Sequence, residues 1–512
     1  MDVKLLFPPA SEKYEKMTWA TENLVDPPAT SAAILGAIAK ENFPDSDIAC
    51  IGHSVASGSS LEDYQFRNRT VDEIVELCFD ADVVGATTWF HNLETSIKVS
   101  EKLKAQNPDQ KFVLGGFGVS DPITARLVLE QHDSIDNIVM GDGEESFKGI
   151  LEGKAPNQIP NLFYREDGRI KRSFSKPFNL NERPLWDFID TVGYKEILKG
   201  YDSKTALFRE LRKDSGNLMG RIGVQFTTGC EKAEKEGPCS YCTSNRTEIQ
   251  VMSAKKFWKQ IEHLYETHGS VEYLISDDIV ATLPKLNALT EARESVSVPD
   301  NIQFRAYGYA PYFTSENSQE MVRLMKEVGI VNLFLGIENF SQDVNEHSHK
   351  RAYSFGEIER TIEDITHGGI DIFLPLIIGM PGETEKTLSY NAECLNKLLE
   401  WYGKRQYGEG GIVRVDLSGG MPLRGTPWYM HLARDEGVKN FYHSKTGVQL
   451  DQHIDPDYAI LRAASTRYFK STGITNGRLE QHKATLGEIC LRYLRPEQIG
   501  GFDFQPSKDI TI

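Results

Sequence analysis

The sequence predicts an α/β protein with two sheet-containing units, and three observations lead to this prediction. The chain has 512 residues, which is more than a single hydrophobic core usually organises. In residues 1–150, and again from residue 218, short β-rich apolar runs alternate with amphipathic helical stretches. The residues between these two regions lose that alternation. Alternating strands and helices predict parallel sheets with right-handed crossovers, so we expect two α/β units joined by a connecting segment.

The first unit, residues 1–150, is predicted to be a Rossmann-like, flavodoxin-like domain. Its strand candidates are Val3–Phe7, Asp47–Ile51, Val83–Thr87, Phe112–Leu114 and Asn137–Met140. Ligands of such sheets bind beyond the carboxyl ends of the strands. In this chain those ends carry proline, threonine, glycine and aromatic residues, and we expect a ligand beside them. The candidate residues are Pro9, Thr87, Thr88, Trp89, Phe90, Gly115, Gly116, Phe117, Gly141, Gly143 and Glu144.

The second unit, residues 218–430, follows a predicted connecting segment at residues 151–217, which lacks a regular period and contains several prolines. Six strand candidates with helical stretches between most of them predict an incomplete (β/α)6 barrel, whose chemistry would lie at the strand carboxyl ends. The strand candidates are Ile222–Thr227, Val271–Ser276, Ile302–Tyr307, Val331–Ile337, Ile370–Ile378 and Val413–Ser418. Residues 431–512 are expected to form a small C-terminal domain that shapes the substrate site.

Composition and charge narrow the function classes. Hydrophobic residues make up 40% and charged residues 26% of the chain, as in an ordinary folded protein. The 74 acidic side chains outnumber the 57 basic ones, and the resulting charge of −17 does not favour nucleic acid as a partner. The apolar N-terminus is too short for a signal peptide or a membrane span. Seven unevenly spread cysteines fit a reducing cytosol, so we expect a cytoplasmic protein that binds neither nucleic acid nor membrane.

Three of the seven cysteines lie in one predicted loop at the end of the first barrel strand. Cys230 follows that strand, and Cys239 and Cys242 come shortly after Cys230. A Cys-x-x-Cys pair lets two sulfurs converge on one metal centre, and a third cysteine makes a three-thiolate site. Three thiolates on a four-iron cube leave one iron open to a substrate-like ligand. A structural zinc site, which lacks an evident fourth ligand nearby, and a chance grouping in a surface loop are the alternatives.

This loop resembles the cluster motif of the radical S-adenosylmethionine (radical SAM) superfamily. Gly229-Cys230 and Cys239-Ser240-Tyr241-Cys242 agree with its glycine-preceded Cys-x3-Cys-x-aromatic-Cys pattern. The first gap is longer, because five additional residues lie within Glu231–Pro238. A loop of this size adds little closure entropy, so ligation stays feasible. The resemblance therefore implies a [4Fe–4S] cluster on Cys230, Cys239 and Cys242.

Other barrel segments resemble the subgroup that pairs this barrel with an N-terminal cobalamin domain. Leu335-Gly336-Ile337-Glu338 is similar to its Gly-Ile-Glu-Ser strand end, where the carboxylate accepts hydrogen bonds from S-adenosylmethionine (SAM). An ordinary ion pair is the alternative for Glu338. Ile378–Thr384 matches a Gly-x-Pro-Gly-Glu-Thr turn, and Pro422–Pro427 resembles an architectural Pro-x-x-Gly-Thr-Pro segment. The resemblance and the rim positions together predict SAM contacts from Tyr241, Asp278, Arg305, Glu338, Ile378, Pro381 and Gly382.

The first domain is similar to the cobalamin-binding domain of the same subgroup, particularly at Gly115-Gly116 and Met140–Phe147. The resemblance implies that the edge residues named above bind cobalamin, whereas a Rossmann-like domain without a ligand is the alternative. The Asp-x-His-x-x-Gly pattern of proteins that ligate cobalt through histidine is absent around His53 and His91. The resemblance thus implies no histidine ligand. Trp89 or Phe90 either covers the lower face of the cobalamin, where a histidine ligand would otherwise bind, or packs in the core.

The resemblance implies a cobalamin-dependent radical SAM enzyme with a [4Fe–4S] cluster, SAM and cobalamin as cofactors. The expected activity is methylation of an unactivated carbon in a small-molecule or peptide substrate, by way of a 5′-deoxyadenosyl radical and methylcobalamin. Flavodoxin or ferredoxin is the expected electron donor. A rearrangement or cyclisation without methylation is the nearest alternative. An RNA methylthiotransferase is opposed by the acidic charge balance, and a non-enzymatic cobalamin sensor would have no use for the cysteine cluster.

Overall fold

Two seven-stranded sheets, each covered by helices, form the framework of the protein. The computed structural model describes residues 1–12, 14, 30–52, 54–57, 65–187, 222–243, 248–277, 279–314, 316–404, 410–468, 474–495 and 498–500. None of the helices in these ranges is long and apolar enough to cross a membrane.

The first sheet contains five parallel strands and confirms the predicted flavodoxin-like fold. Its parallel strands are β1 (Asp2–Leu6), β2 (Asp47–Ile51), β5 (Val83–Thr87), β6 (Lys111–Gly115) and β7 (Asn137–Val139). They are ordered β2-β1-β5-β6-β7, the doubly wound order in which a ligand site lies between the first and third strands. A separate hairpin connects the second and third of these strands and consists of β3 (Ser54–Ser57) and β4 (Gln65–Asn68).

Helices cover both faces of this sheet because strand residues alternate between two apolar clusters. Leu5 packs in one cluster, and the next residue, Leu6, packs in the other. Two helices have clear start signals: Thr70 forms a capping box with Glu73, and Asp121 accepts hydrogen bonds from two amides of the first turn. The helices are α1 (Thr30–Asn42), α2 (Val71–Cys78), α3 (Leu93–Gln106), α4 (Pro122–Gln131) and α5 (Glu144–Leu151).

An antiparallel hairpin extends the first sheet beyond the expected boundary at residue 150. Strand β8 (Leu162–Glu166) pairs with β7, and β9 (Arg169–Arg172) pairs with β8. Their turn is Asp167-Gly168, with φ values of 53° and 70°, as a two-residue type I′ hairpin turn requires. These residues were expected to belong to a connecting segment, so that prediction is wrong for residues 162–172.

The second sheet is parallel throughout and follows chain order, which confirms the predicted incomplete barrel. Its first six strands are β10 (Ile222–Val224), β13 (Glu272–Ile275), β14 (Gln303–Tyr309), β15 (Ile330–Gly336), β16 (Asp371–Ile378) and β17 (Val413–Gly419). A seventh strand, β18 (Ile499–Gly500), which the sequence did not reveal, pairs with β17. A short antiparallel ribbon of β11 (Thr227–Thr228) and β12 (Gln250–Val251) follows the first strand.

The helices of the second unit extend into the C-terminal residues. They are α6 (Glu231–Glu236), α7 (Ala254–His268), α8 (Leu283–Arg293), α9 (Ser318–Val328), α10 (Gln342–His347), α11 (Phe355–His367), α12 (Glu385–Gly403), α13 (Pro427–Leu432), α14 (Glu436–Thr446), α15 (Tyr458–Tyr468) and α16 (Asn476–Tyr493). Leu479 and Leu486 of α16 lie in the barrel core, so this helix belongs to the barrel. Residues 431–512 therefore do not have a core wholly of their own.

Two sets of contacts join the sheets. On one side, the Thr30 hydroxyl of α1 donates a hydrogen bond to the Gly223 carbonyl of β10 at 2.9 Å. On the other side, the Tyr14 hydroxyl donates to Asp455 at 2.8 Å. The C-terminal segment that carries Asp455 thus lies against the N-terminal region of the chain.

Candidate functional site

The cysteine loop begins at the carboxyl end of the first barrel strand. Gly229 has a φ of +84°, and a Cβ atom there would lie 2.6 Å from the Glu248 carbonyl oxygen, so this position requires glycine. Cys230 immediately precedes α6. The additional residues of the motif therefore form a short helix between Cys230 and Cys239. All three loop cysteines are partly exposed.

Asp277 fixes the chain that leads into this loop. It follows β13, is 1% exposed, and accepts hydrogen bonds from the Phe226 amide at 2.8 Å and the Thr227 hydroxyl at 2.7 Å. Burial raises the pKa of this carboxyl to about 6, while the hydrogen bonds act in the opposite direction. Its neighbour Asp278, predicted to contact SAM, lies outside the described residues.

The loop is also held from the far side. Lys285 of α8 forms an ion pair with Glu231 at 3.1 Å. The buried Lys232 ammonium donates hydrogen bonds to the Gly237 and His349 carbonyls. These contacts fix α6 to its neighbours, so the enlarged gap between the first two cysteines has a defined conformation.

Residues 348–353, which we call the bracket segment, connect the cysteine loop to the barrel strands. The Ser240 amide donates to the Ser348 carbonyl at 2.9 Å. At the other end, the Tyr353 hydroxyl donates to the Ile337 carbonyl at 2.7 Å, just beyond β15. The segment therefore sets the distance between the cysteines and the end of β15.

Lys350, in the middle of the bracket segment, was not found by sequence reasoning. It is 5% exposed, forms an ion pair with Glu338, and donates a hydrogen bond to the Gly336 carbonyl at 3.0 Å. Its ammonium nitrogen lies 5.4 Å from the centre of the Tyr309 ring. No recognised motif contains this lysine, and its partners lie at or just beyond the ends of β14 and β15.

The same ammonium interacts electrostatically with all three loop cysteines. Burial lowers the pKa of Lys350 to about 7, and the charges of Cys239, Cys242 and Cys230 oppose that shift. The cysteine loop thus lies near a buried ammonium at the barrel mouth. Within the described ranges, no three His, Cys, Asp or Glu side chains could hold a single metal ion.

Glu338 lies at the end of β15, where the sequence predicted it. It adopts a φ of +54°, which is uncommon for a residue with a side chain. Backbone hydrogen bonds hold it there: its amide donates to the Pro375 carbonyl at 3.1 Å, and its carbonyl accepts from the Ile377 amide at 2.8 Å. The ion pair with Lys350 is the alternative expected for Glu338, and its contact with SAM stays a prediction.

The predicted turn after β16 is held by hydrogen bonds to a buried carboxylate. Glu383 accepts hydrogen bonds from the Gly379 amide at 2.7 Å and the Asn339 side chain at 3.0 Å. Burial raises the pKa of Glu383 to about 7. A Cβ atom on Gly382 would lie 2.7 Å from the His347 ring, so the turn packs closely against α10. The turn includes the predicted SAM-binding residues Ile378, Pro381 and Gly382.

Two further predicted SAM contacts have different surroundings. Arg305 is the third of seven residues in β14, which extends two residues beyond its predicted end, so its expected rim position is wrong. Arg305 and Tyr307 are two residues apart and so share one face of β14, and the Tyr307 ring is 5.0 Å from that of Phe334. Tyr241 remains beside the cysteines, and burial together with Cys239 and Cys242 raises its pKa well above the usual value. Both contacts with SAM stay predictions.

The strand ends of the first sheet form a tight backbone junction. The Thr88 hydroxyl and amide both donate to the Gly115 carbonyl at 2.7 Å. Gly116 has a φ of +91°, and a Cβ atom there would lie 2.5 Å from the Thr88 carbonyl oxygen. Glycine at this position is therefore required by the fold itself. Thr87, one residue earlier, accepts a hydrogen bond from Ser31 at 3.1 Å.

Two aromatic side chains extend from this junction. Trp89 and Phe117 are each 43% exposed, and their ring centres are 5.1 Å apart. Phe90 points to the C-terminal segment instead and meets Tyr458 at 5.8 Å between ring centres. Packing, one of the two roles considered for Phe90, is thus observed. Pro9 is buried beside the same edge.

The last predicted edge residues differ in their accessibility. Gly141 has a φ of +111° with open space where a side chain would stand, whereas Gly143 packs near Leu35 of α1. Glu144 is buried and forms an ion pair with Arg183 at 2.5 Å. That arginine also donates to Gln225, which follows β10, at 2.9 Å. Glu144 therefore joins the first domain to the barrel, and its contact with cobalamin stays a prediction.

The carboxyl ends of the two sheets meet in one apolar cluster, which we call the junction cluster. It includes residues that follow first-sheet strands, residues beyond barrel strands, and residues of the C-terminal helices. Representative members are Ala10, Phe90, Tyr241, Met421, Leu423, Trp428 and Tyr458. The predicted edges therefore face a common region.

Comparison with known proteins agrees with this arrangement. Residues 224–393 match the model of the Radical SAM superfamily. These residues form a radical SAM domain. They contain the three cysteines, Glu338 and the turn at Gly379–Glu383. No curated protein matches the chain in sequence.

Solved structures of cobalamin-dependent radical SAM enzymes share the fold of most of this chain. The radical SAM methyltransferase TsrM from Kitasatospora setae, solved with cobalamin and a [4Fe–4S] cluster, has a TM-score of 0.60 and 14% identity, covering 84% of this chain and 74% of TsrM. The cobalamin-dependent enzyme OxsB, solved with aqua-cobalamin and SAM, has a TM-score of 0.63 and 14% identity, covering 95% of this chain and 70% of OxsB. The radical SAM domain is thus combined with a first domain of similar fold.

Proposed function

We propose that the protein is a cobalamin-dependent radical SAM methyltransferase that methylates an unactivated carbon of a small-molecule or peptide substrate. The observation that carries this proposal is the junction cluster, where the carboxyl ends of both sheets meet. Parallel α/β sheets and barrels bind their ligands at those ends. Two cofactor sites placed there would therefore share one reaction space. The similarity of the fold to TsrM supports methyl transfer.

The cysteine loop fits a [4Fe–4S] cluster. Each thiolate of such a cluster binds its own iron, so the sulfurs need not approach as closely as the ligands of one zinc ion. The Lys350 ammonium interacts electrostatically with Cys230, Cys239 and Cys242 and would offset part of their negative charge. The Ser240 hydroxyl between two of the cysteines is buried and has no hydrogen-bond partner among the described residues. A polar group is therefore available beside the cluster.

The barrel mouth fits SAM as the ligand of the open iron. Glu338 would accept hydrogen bonds from the ribose or amino group, and the backbone at Ile378, Pro381 and Gly382 would approach the adenine or methionine moiety. Tyr241 would close the site from the cysteine loop. Asp278 and Arg305 complete the proposed set. A bound cluster would supply the reducing electron for SAM cleavage, with flavodoxin or ferredoxin as the proposed electron donor.

The edge of the first sheet fits cobalamin. Trp89 and Phe117 offer exposed aromatic faces beside the backbone of Thr87–Thr88, and such faces can cover a flat apolar macrocycle. The open space at Gly141 lets a ligand approach the backbone closely. The surrounding chain would be held in place by the other predicted edge residues, which are Pro9, Phe90, Gly115, Gly116, Gly143 and Glu144. The protein's own residues thus position the group and exclude water, while cobalamin supplies the methyl-transfer chemistry.

Anaerobic reconstitution tests this function directly. Protein with iron, sulfide, hydroxocobalamin, a strong reductant and methyl-labelled SAM should form 5′-deoxyadenosine and transfer label to the cobalamin fraction. The Cys239→Ala variant should form no 5′-deoxyadenosine. Absence of 5′-deoxyadenosine above this control would show that the radical half of the proposal is wrong. Formation of 5′-deoxyadenosine without any transfer of label would instead favour a rearrangement or cyclisation.

A further inference from the structure

We infer that Lys350 is a positioning residue that holds Glu338 at the barrel mouth and places one positive charge beside the cysteine loop. This inference rests on the proposed cluster and SAM sites, and assigns a role to a residue outside the recognised motifs. Its first support is burial, because Lys350 is 5% exposed while pairing with a carboxylate at the end of β15. Buried lysines without a paired charge are rare.

Gly336 and Tyr309 pack closely around the ion pair between Lys350 and Glu338. A Cβ atom on Gly336 would lie 3.0 Å from a Glu338 carboxylate oxygen and 3.3 Å from the Lys350 ammonium. The glycine therefore makes room for both charged groups. The Gly336 carbonyl accepts a second hydrogen bond from the ammonium at 3.0 Å, and the Tyr309 ring lies 5.4 Å from it. The lysine cannot turn towards solvent without losing these partners together.

The bracket segment connects the Lys350–Glu338 ion pair to the cysteine loop. Ser348 accepts a hydrogen bond from the Ser240 amide, and His349 accepts one from Lys232. Lys350 is the next residue, so the chain that touches the cysteine loop also carries the partner of Glu338. One short segment thus fixes the position of Glu338 relative to the cysteine loop, the two parts of the proposed SAM site.

The charge itself has a measurable consequence for the cluster. Nearby net charge is one of the factors that set the reduction potential of an iron–sulfur cluster. Removing a positive charge should disfavour the more negative, reduced state, and removing Glu338 should have the opposite effect. A defect in packing alone would not produce shifts of opposite sign.

The test compares midpoint potentials of reconstituted proteins without SAM. In Lys350→Met, we expect at least a tenfold smaller equilibrium constant for one-electron reduction, equivalent to a shift of about 59 mV to more negative potential. Lys350→Arg should restore most of the wild-type value, and Glu338→Gln should shift the potential to more positive values. The surface variant Lys326→Met, on α9, is the matched control and should leave the potential unchanged.

A second measurement separates positioning from charge. SAM should bind at least tenfold more weakly to Lys350→Met than to the wild type, as followed by the change in the electron paramagnetic resonance spectrum of the reduced cluster. Wild-type potential and SAM affinity in Lys350→Met would overturn the inference. Shifts of the same sign in Lys350→Met and Glu338→Gln would overturn it as well, and would remain informative if Lys350→Arg folded poorly. A wild-type protein that assembles no cluster would instead contradict the proposed function itself.

Discussion

Buried polar side chains around the barrel mouth find their partners in distant parts of the chain. Asp277 secures the approach to Cys230, and Glu383 secures the turn after β16. Each accepts two hydrogen bonds, so removing either carboxylate would leave buried donors without partners. The positions of the cysteines and of the predicted SAM-binding backbone thus depend on buried carboxylates outside the predicted ligand set.

A buried histidine gives a pH-dependent prediction at the same scale. Burial, aided by Arg478, lowers the pKa of His482 on α16 to about 4, while Glu385 acts in the opposite direction. Above the unfolded-state pKa of about 6.5 the histidine is neutral in both states, so its full contribution to stability is present. As the pH falls from about 6.5 towards 4, the unfolded state alone gains a proton, and stability is lost by up to about 1.4 kcal/mol per pH unit.

Urea unfolding of the wild type and His482→Gln at several pH values measures this effect. The free energy of unfolding of the wild type minus that of His482→Gln should be constant above about pH 6.5. Below about pH 6.5 this difference should decrease as the pH falls. His443→Gln, which alters an exposed histidine, is the control and should follow the wild type. Parallel curves for the wild type and His482→Gln down to pH 4 would contradict the assignment.

At the scale of secondary structure, the parallel strands were easier to predict than the hairpin and the side-chain contacts that hold them in place. The five parallel strands of the first sheet and the six barrel strands each agree with their predicted positions within one or two residues at most ends, because apolar runs between glycine and proline turns are local signals. The β8–β9 hairpin had a local signal in Asp167-Gly168 that was missed. Lys350 and Arg183 had none, since their partners are defined only by the folded chain.

One ion pair between elements is expected to be important for stability. Arg183 joins Glu144 of α5 to Gln225 beyond β10, and the paired side chains are 4% and 6% exposed. Replacing one partner of a buried pair leaves an uncompensated charge, which destabilises by about 3–5 kcal/mol. We therefore expect a loss of this size in the free energy of unfolding of Arg183→Met.

The double variant Arg183→Met/Glu144→Gln provides the matched comparison. It removes the orphaned charge, so it should recover more than half of the stability lost in the single variant. Arg169→Met changes an exposed arginine of β9 and should behave as the wild type. A single variant that loses less than about 1 kcal/mol, the range of a surface pair, would show that this contact does not join the two units.

At the scale of the whole molecule, the two sheets place their carboxyl ends against one another, and the C-terminal helices fill the space between them. The fold class and the order of the domains followed from periodicity and motifs. The position of residues 431–512 did not, because α16 contributes to the barrel core while α13–α15 pack in the junction cluster. A tail without a local motif becomes interpretable only when its neighbours in space are known.

The central claim is that the three loop cysteines hold an iron–sulfur cluster in a radical SAM domain, and metal analysis tests it most directly. After anaerobic reconstitution, the wild type should contain about four iron and four sulfide ions per chain. Cys230→Ala, Cys239→Ala and Cys242→Ala should each lose most of this iron, whereas Cys490→Ala, which changes a buried cysteine of α16, should retain it. Loop variants that keep as much iron as the wild type, or a wild type without iron, would contradict the account.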